Sequence, residues 1–217
     1  MKTNSQIRQE SLAAMRGNWG SAVVVTIVYL LIIFAGSFVA ALLGKVVGAP
    51  VDSSVQEILN LLVSIFVVYP MSFSLAKLFL GFVRGEQQLY VGGVFSAFKA
   101  PCYGKSVGLY LLISIYTFLW ALLLIVPGII KSLAYSLAPY ILADNPEISA
   151  NEALNQSVKM MKGYKMRLFL MWLGYTGFAL LSILALGIPL LWLYPYYQAV
   201  LAKFYEDVKA NAINEVN

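Results

Sequence analysis

The sequence contains no histidine and a single cysteine, Cys102. Without histidine the chain lacks the commonest general base near neutral pH and the commonest transition-metal ligand. One cysteine excludes an internal disulfide and any thiolate metal cluster built within one chain. Charge is scarce as well: Asp, Glu, Lys and Arg supply 12% of the 217 residues, where a soluble domain carries roughly 25%. Hydrophobic residues supply 60%. There is too little polar surface to coat a globule of this length, so much of the exterior must face lipid. The net charge of +5 would suggest nucleic acid in a soluble protein, but basic residues flanking membrane spans account for it, and no nucleic-acid partner is expected. Walker A, G-x-S-x-G, zinc-spacing and dinucleotide-binding signatures are all absent. No catalytic residue, cofactor or metal is expected.

What the chain does have is long apolar runs. A bilayer core of about 30 Å needs roughly 20 apolar residues as a helix. Six such stretches are expected: Ser21 to Gly44, about Ile58 to Val83, about Ser106 to Val126, Ile129 to Ala143, Leu168 to Leu186, and Ile188 to about Phe204. The third and fourth divide at Val126-Pro127-Gly128, the fifth and sixth at Gly187-Ile188-Pro189, because Gly and Pro both stop helices. Of the 15 Lys and Arg residues, only Lys45 and Lys131 fall on one side of this layout. The basic side is assigned to the cytoplasm, which puts both termini there. The polar lead-in and long first run read as a signal anchor, not a cleaved leader.

The chain also repeats itself. A unit of amphipathic stretch, span, external turn and span recurs over about 1–84, 85–146 and 147–217. Ser11-Leu-Ala-Ala-Met-Arg-Gly17 aligns without a gap on Ser157-Val-Lys-Met-Met-Lys-Gly163, while Phe95-Ser-Ala-Phe98-Lys99 in the second unit is a weaker match. Ser149 and Glu152 form an S-x-x-E capping box, which starts a helix with Leu154, Val158 and Met161 on one face. Lys159 and Lys162 are then placed to meet anionic inner-leaflet lipids. Pro50, Pro127 and Pro189 fall in the three external turns, and Pro70, Pro139 and Pro195 inside the second spans. The expected fold is an all-α polytopic helical membrane bundle, one integral membrane domain of about six spans in three helix-plus-hairpin units.

Few residues stand out as a site. Lys131, just past the external turn, either snorkels to the outer interface or faces a cavity, paired with a hydroxyl such as that of Tyr135 or with an anionic substrate. The aromatic cluster of Trp192, Tyr194, Tyr196 and Tyr197 reads as an interfacial belt, with a ligand pocket as the alternative. Asp144, Glu147 and Glu152 are expected at one helix start, where capping accounts for them. Glu206 and Asp207 are expected to be solvated.

The segments Pro127-Gly-Ile-Ile-Lys131-Ser-Leu-Ala-Tyr135 and Pro139-Tyr-Ile-Leu-Ala-Asp144-Asn-Pro146 resemble a bacterial membrane family catalogued as domain of unknown function 975. So do Arg84-Gly-Glu86, Glu152-Ala-Leu with Ser157, Met161-Lys-Gly163, Trp192-Leu-Tyr-Pro-Tyr196 and Phe204-Tyr-Glu-Asp207. The resemblance implies a multi-pass protein without an assigned activity. It also implies a distant similarity to the membrane portion of glycerophosphodiester phosphodiesterases, whose soluble catalytic barrel and histidine chemistry this sequence does not contain. That kinship suggests a lipid-facing context. The family's bacterial setting implies a bacterial cytoplasmic (inner) membrane, and the repeats, span prolines, Lys131 and basic amphipathic stretches lead to the expectation of a non-enzymatic protein that handles or senses lipids or small amphiphiles. The competing expectation is a structural or accessory subunit with a membrane protein partner in an envelope export or immunity complex. A membrane enzyme ranks third.

Overall fold

The structure, a computed structural model, describes residues 2–50, 53–99 and 102–214, with side chains as far as Ala212. Every regular element among the described residues is helical. In the first unit, α1 (Asn4–Met15) leads into α2 (Trp19–Val46), and a 31-residue helix returns over Ser54–Arg84. That helix consists of α3 (Ser54–Val63), a π-helical segment at Ser64–Val68 and α4 (Tyr69–Arg84). The second unit opens with a 3₁₀ segment, Val91–Phe98, followed by α5 (Cys102–Leu123), α6 (Ile125–Tyr135) and α7 (Ala138–Asp144). The third comprises α8 (Ala150–Met160), α9 (Lys165–Leu184) and α10 (Leu190–Asn214).

Five helices among the described residues are long and apolar enough to cross a bilayer: Trp19–Val46, Ser54–Arg84, Cys102–Leu123, Ile125–Asp144 and Lys165–Leu184. They leave large apolar side chains on the outside, Phe34 at 70% exposure and Phe38 at 65% among them, a surface that only lipid can cover without cost. The chain is a multi-pass helical membrane protein. At 25 residues α10 is about 37 Å long, also enough to cross. Its second half carries Lys203, Glu206, Asp207 and Lys209, which keeps it out of the purely apolar set.

The two stretches that align in sequence, ending at Gly17 and Gly163, have like local structure. Thr3 caps α1 by accepting from the Gln6 backbone N–H, and the Gln6 side chain completes the box. Ser149 caps α8 by accepting from the Glu152 backbone N–H, the one half of the expected box that is formed. The two helices bury matching faces: Ile7, Ser11 and Met15 in one, Ala153, Ser157 and Met161 in the other. Each ends in a glycine at φ +79, Gly17 and Gly163, a left-handed conformation that costs an L-residue about 1–2 kcal/mol. The second unit does without an α-helix here, because Val91-Gly92-Gly93 holds two poor helix formers. A Cβ on Gly93 would lie 2.6 Å from Leu78 Cδ1, so the segment lies hard against α4.

Each leading element packs on the second span of the unit before it: the 3₁₀ segment on α4, α8 on α7, and α1 on α10. The last of these closes the series into a ring. The second spans therefore sit innermost. Twelve of the 16 residues of α4 are buried, against six of the 28 in α2, so α4, α7 and α10 form the core while α2, α5 and α9 face outward.

Two of the three inner helices are interrupted where they lead into α4 and α7, and the freed backbone groups are answered by neighbours. Pro70 has no N–H to offer the Phe66 carbonyl four residues back, and the hydroxyl of Tyr103 donates to that carbonyl at 3.0 Å. Between α6 and α7, ahead of Pro139, the chain loosens at Ser136-Leu137. Ser157 of α8 bridges the gap, donating to Ala134 O at 2.7 Å and accepting from Leu137 N at 3.2 Å. Pro195 lies within an unbroken α10.

The turn expected at Val126-Pro127-Gly128 is displaced. The break falls at Leu124, which is extended (φ −163, ψ 145), and Pro127 and Gly128 belong to α6. Proline is tolerated there because the first turn of a helix has no intrahelical use for its N–H. Gly128 permits close contact instead, since a Cβ on it would sit 3.0 Å from Ala121 Cα. Likewise α9 ends at Leu184, earlier than Leu186, and Leu186 and Gly187 turn the chain at φ +55 and +75.

Candidate functional site

The ends of the three inner helices converge on one charged cluster. Arg84 ends α4, Asp144 ends α7, and Glu206 lies in the last third of α10. A carboxylate at a helix C-terminus opposes the helix dipole, so Asp144 needs cations, and it has them. Arg84 grips it with two parallel bonds, Nη1 to Oδ1 at 2.6 Å and Nη2 to Oδ2 at 2.8 Å. Lys209 Nζ donates to Oδ2 at 2.6 Å and the Tyr205 hydroxyl to the same oxygen at 2.7 Å. Arg84 also reaches Glu206 Oε1 at 2.6 Å. The Asp144 side chain is 8% exposed. Burial first, and then the bond to the Asp144 carboxylate, pushes the Tyr205 phenol above its ordinary range and keeps it a donor. Its ring stacks on Tyr140 with centroids 5.5 Å apart, which ties α10 to α7. Lys203 Nζ donates to Val83 O at 2.7 Å and covers the end of α4.

A second cluster ties the N-terminus to the same end. Asp207, 5% exposed, accepts from Arg167 Nη2 at 2.9 Å and from the Lys2 backbone N–H at 3.0 Å. Arg167 Nε donates to Asn4 Oδ1 at 3.1 Å, and Nη2 to the Lys2 carbonyl. Glu206 and Asp207 are thus held in ion pairs, not solvated as expected, because α10 delivers them to the cationic ends of α4 and α9. Asp144, Glu147 and Glu152 do not gather at one helix start either. Asp144 turns into the bundle, while Glu147 and Glu152 stay exposed.

Away from the charged cluster, α1, α9 and α10 leave an open groove of about 400 Å³ between them. Leu12, Trp19, Phe178, Trp192 and Tyr196 line it, with Ser182 and Pro189. An adjoining cavity of about 120 Å³ shares Phe178, Leu193 and Tyr196 and adds Arg8, Gly174 and Tyr197. The aromatic residues of α10 divide between two settings. Trp192 and Tyr196 line the groove, whereas Tyr194 stacks on Tyr29 at 5.7 Å and Tyr197 on Tyr175 at 4.2 Å. Lys131 is half-buried with its ammonium 4.5 Å from the Trp120 ring centroid. Tyr135 is buried and packs its ring against Tyr116 at 6.4 Å.

Of the five sequence candidates, the structure therefore brings Trp192 and Tyr196 together, puts Asp144 in a separate ion cluster, and leaves Lys131 and Tyr135 by the α5–α6 hairpin. Sequence reasoning missed Arg84 and Lys209 as partners of Asp144, and Arg8 as a groove residue. A signal for the first existed: an ionisable residue ends the second span of every unit, at Arg84, Asp144 and Glu206. No comparable signal marks Arg8, which depends on where α1 docks.

No curated protein and no solved structure matches the chain, so the distant likeness to phosphodiesterase membrane regions gains no support. A family model described as protein of unknown function (DUF975) matches residues 1–133 and 122–212. With that match running from one end of the ring to the other, the chain belongs to this family.

Proposed function

We propose that this is a non-enzymatic six-span protein of the bacterial cytoplasmic membrane, with both ends inside, that handles or senses lipids or small amphiphiles. The observation that carries the reading is the groove between α1, α9 and α10. It is open, lined with aromatic and aliphatic side chains, and large enough for a ligand, since binding pockets run about 300–1,000 Å³. Two further features support it. The ion clusters neutralise Asp144, Glu206 and Asp207 with Arg84, Lys209 and Arg167, which leaves these carboxylates occupied with structure instead of poised for acid–base work. The concentration of Lys and Arg at the end bearing those clusters supports a cytoplasmic face there.

Reconstitution into liposomes, with lipid scrambling and amphiphile flux measured together, tests the handling function. Wild type should accelerate exchange over protein-free vesicles, and a Gly174→Leu variant, altered in the cavity that adjoins the groove, should not; equal rates for both with empty vesicles would remove the reading. Sidedness is tested with Thr3→Cys and Ala212→Cys, each in a Cys102→Ser background. An impermeant maleimide should label both in inverted vesicles and neither in intact cells.

A further inference from the structure

We infer that the groove is a binding site for one anionic phospholipid, with its phosphate on Arg8 and an acyl chain lying past Phe178 toward Trp192. The inference rests on the lipid-handling reading above and adds a headgroup anchor and a charge preference to it. The argument begins with α1. Its buried face, Ile7, Ser11 and Met15, is used for packing, which turns Arg8 away from that face to the mouth of the smaller cavity, beside Tyr196 and Tyr197. Arg84 is committed to Asp144 and Glu206, and Arg167 to Asp207, while Arg16, the C-cap of α1, lines neither cavity. Among the described residues Arg8 has no carboxylate partner, and no acidic residue lines either cavity. Glu10, the acid nearest along α1, is held by Lys2 at 2.7 Å.

A cation without a counterion at one end of an apolar groove complements a ligand with one anionic end and one apolar end. Arginine suits a phosphate better than a point charge does, because its planar fork can bond two oxygens at once. The groove continues from Arg8 past Tyr196 and Phe178, residues common to both cavities, to Trp192. Its walls offer few polar atoms that an acyl chain would leave without partners. A phospholipid is also the occupant that the surrounding membrane supplies at high local concentration.

The test is native mass spectrometry on the full-length protein in detergent, titrated with phosphatidylglycerol or with phosphatidylcholine of the same chains. Wild type should bind one phosphatidylglycerol about five-fold more tightly than phosphatidylcholine, the usual contribution of one basic side chain at an anionic surface. Arg8→Gln should bind the two lipids equally, and Arg8→Lys should restore part of the preference. Gly174→Leu should weaken both lipids alike. Gly174 lines the smaller cavity and a Cβ there meets nothing within 4 Å, so the helix backbone has room for the start of the new side chain. An Arg8→Gln protein that keeps the wild-type preference, or a Gly174→Leu protein that binds normally, overturns the site. Because binding is read without transport, a chain that binds as described yet scrambles nothing would sink the handling function and leave the site standing. Scrambling that persists with an unaltered preference in Arg8→Gln would do the reverse.

Discussion

Asp144→Asn is the substitution that most directly probes what holds the three inner helices together. The carboxylate accepts four hydrogen bonds, two from Arg84, one from Lys209 and one from Tyr205, at 2.6 to 2.8 Å. An asparagine has the same shape but only one acceptor oxygen. With that oxygen placed at the Oδ2 position to receive three donors, its NH₂ group faces the Arg84 Nη1 donor. At least one charge-assisted bond then becomes a donor–donor contact, and Arg84, 21% exposed, keeps Glu206 as its one anionic partner in the cluster. Breaking a buried ion pair by removing one partner costs about 3–5 kcal/mol, and the low exposure of Asp144 places it in that class. The comparison is Glu10→Gln, which breaks the exposed Lys2–Glu10 pair (side chains 49% and 39% exposed) and should cost no more than about 1 kcal/mol. Both are read by reversible unfolding in mixed micelles with increasing SDS, using helical circular dichroism. Asp144→Asn should shift the midpoint well below wild type while Glu10→Gln stays near it. Equal shifts for the two would refute the argument that the cluster clamps the ring.

Two further predictions exploit the repeat. Ser157→Ala strips a buried bridge between Ala134 O and Leu137 N and should cost about 1–3 kcal/mol, whereas Ser11→Ala removes only a bond to its own helix at Ile7 O and should be close to neutral. Equal effects in the same SDS titration would show that the α6–α7 break does not depend on α8. Gly163→Ala forces a side chain into a left-handed turn and should destabilise by about 1–2 kcal/mol. Gly174→Ala, in a helix with open space at its Cβ, should stabilise by about 0.5–1 kcal/mol, so destabilisation by both would contradict the assignment.

The alignment of Ser11 through Gly17 with Ser157 through Gly163 carried more structure than its length suggests. It extends back to the caps, Thr3 and Ser149, and forward to the two left-handed glycines. These features are local: a cap, a buried i, i+4 face and a positive φ are set by residues within one turn of each other. The proline expectations fared unevenly for the same reason. Pro127 read as a stop, yet a proline is equally at home in the first helical turn, and the one-residue break at Leu124 carries no residue-type signature. The expectation that Glu206 and Asp207 would be solvated failed because their partners, Arg84 and Arg167, lie far away in sequence.

Composition and run length by themselves determined that this chain is a multi-pass helical membrane bundle, because a bilayer tolerates little else with so few charges and such long apolar runs. They could not determine which spans face lipid and which face each other, since apolar residues suit either side. That was decided by the leading helix of each unit docking on the unit before it, and by α1 closing the ring on α10. Closure puts three second spans in the centre, gathers Arg84, Asp144 and Glu206 at one end, and leaves Arg8 beside a groove. None of those juxtapositions is encoded in a local stretch, because each depends on contacts between residues a whole unit or more apart.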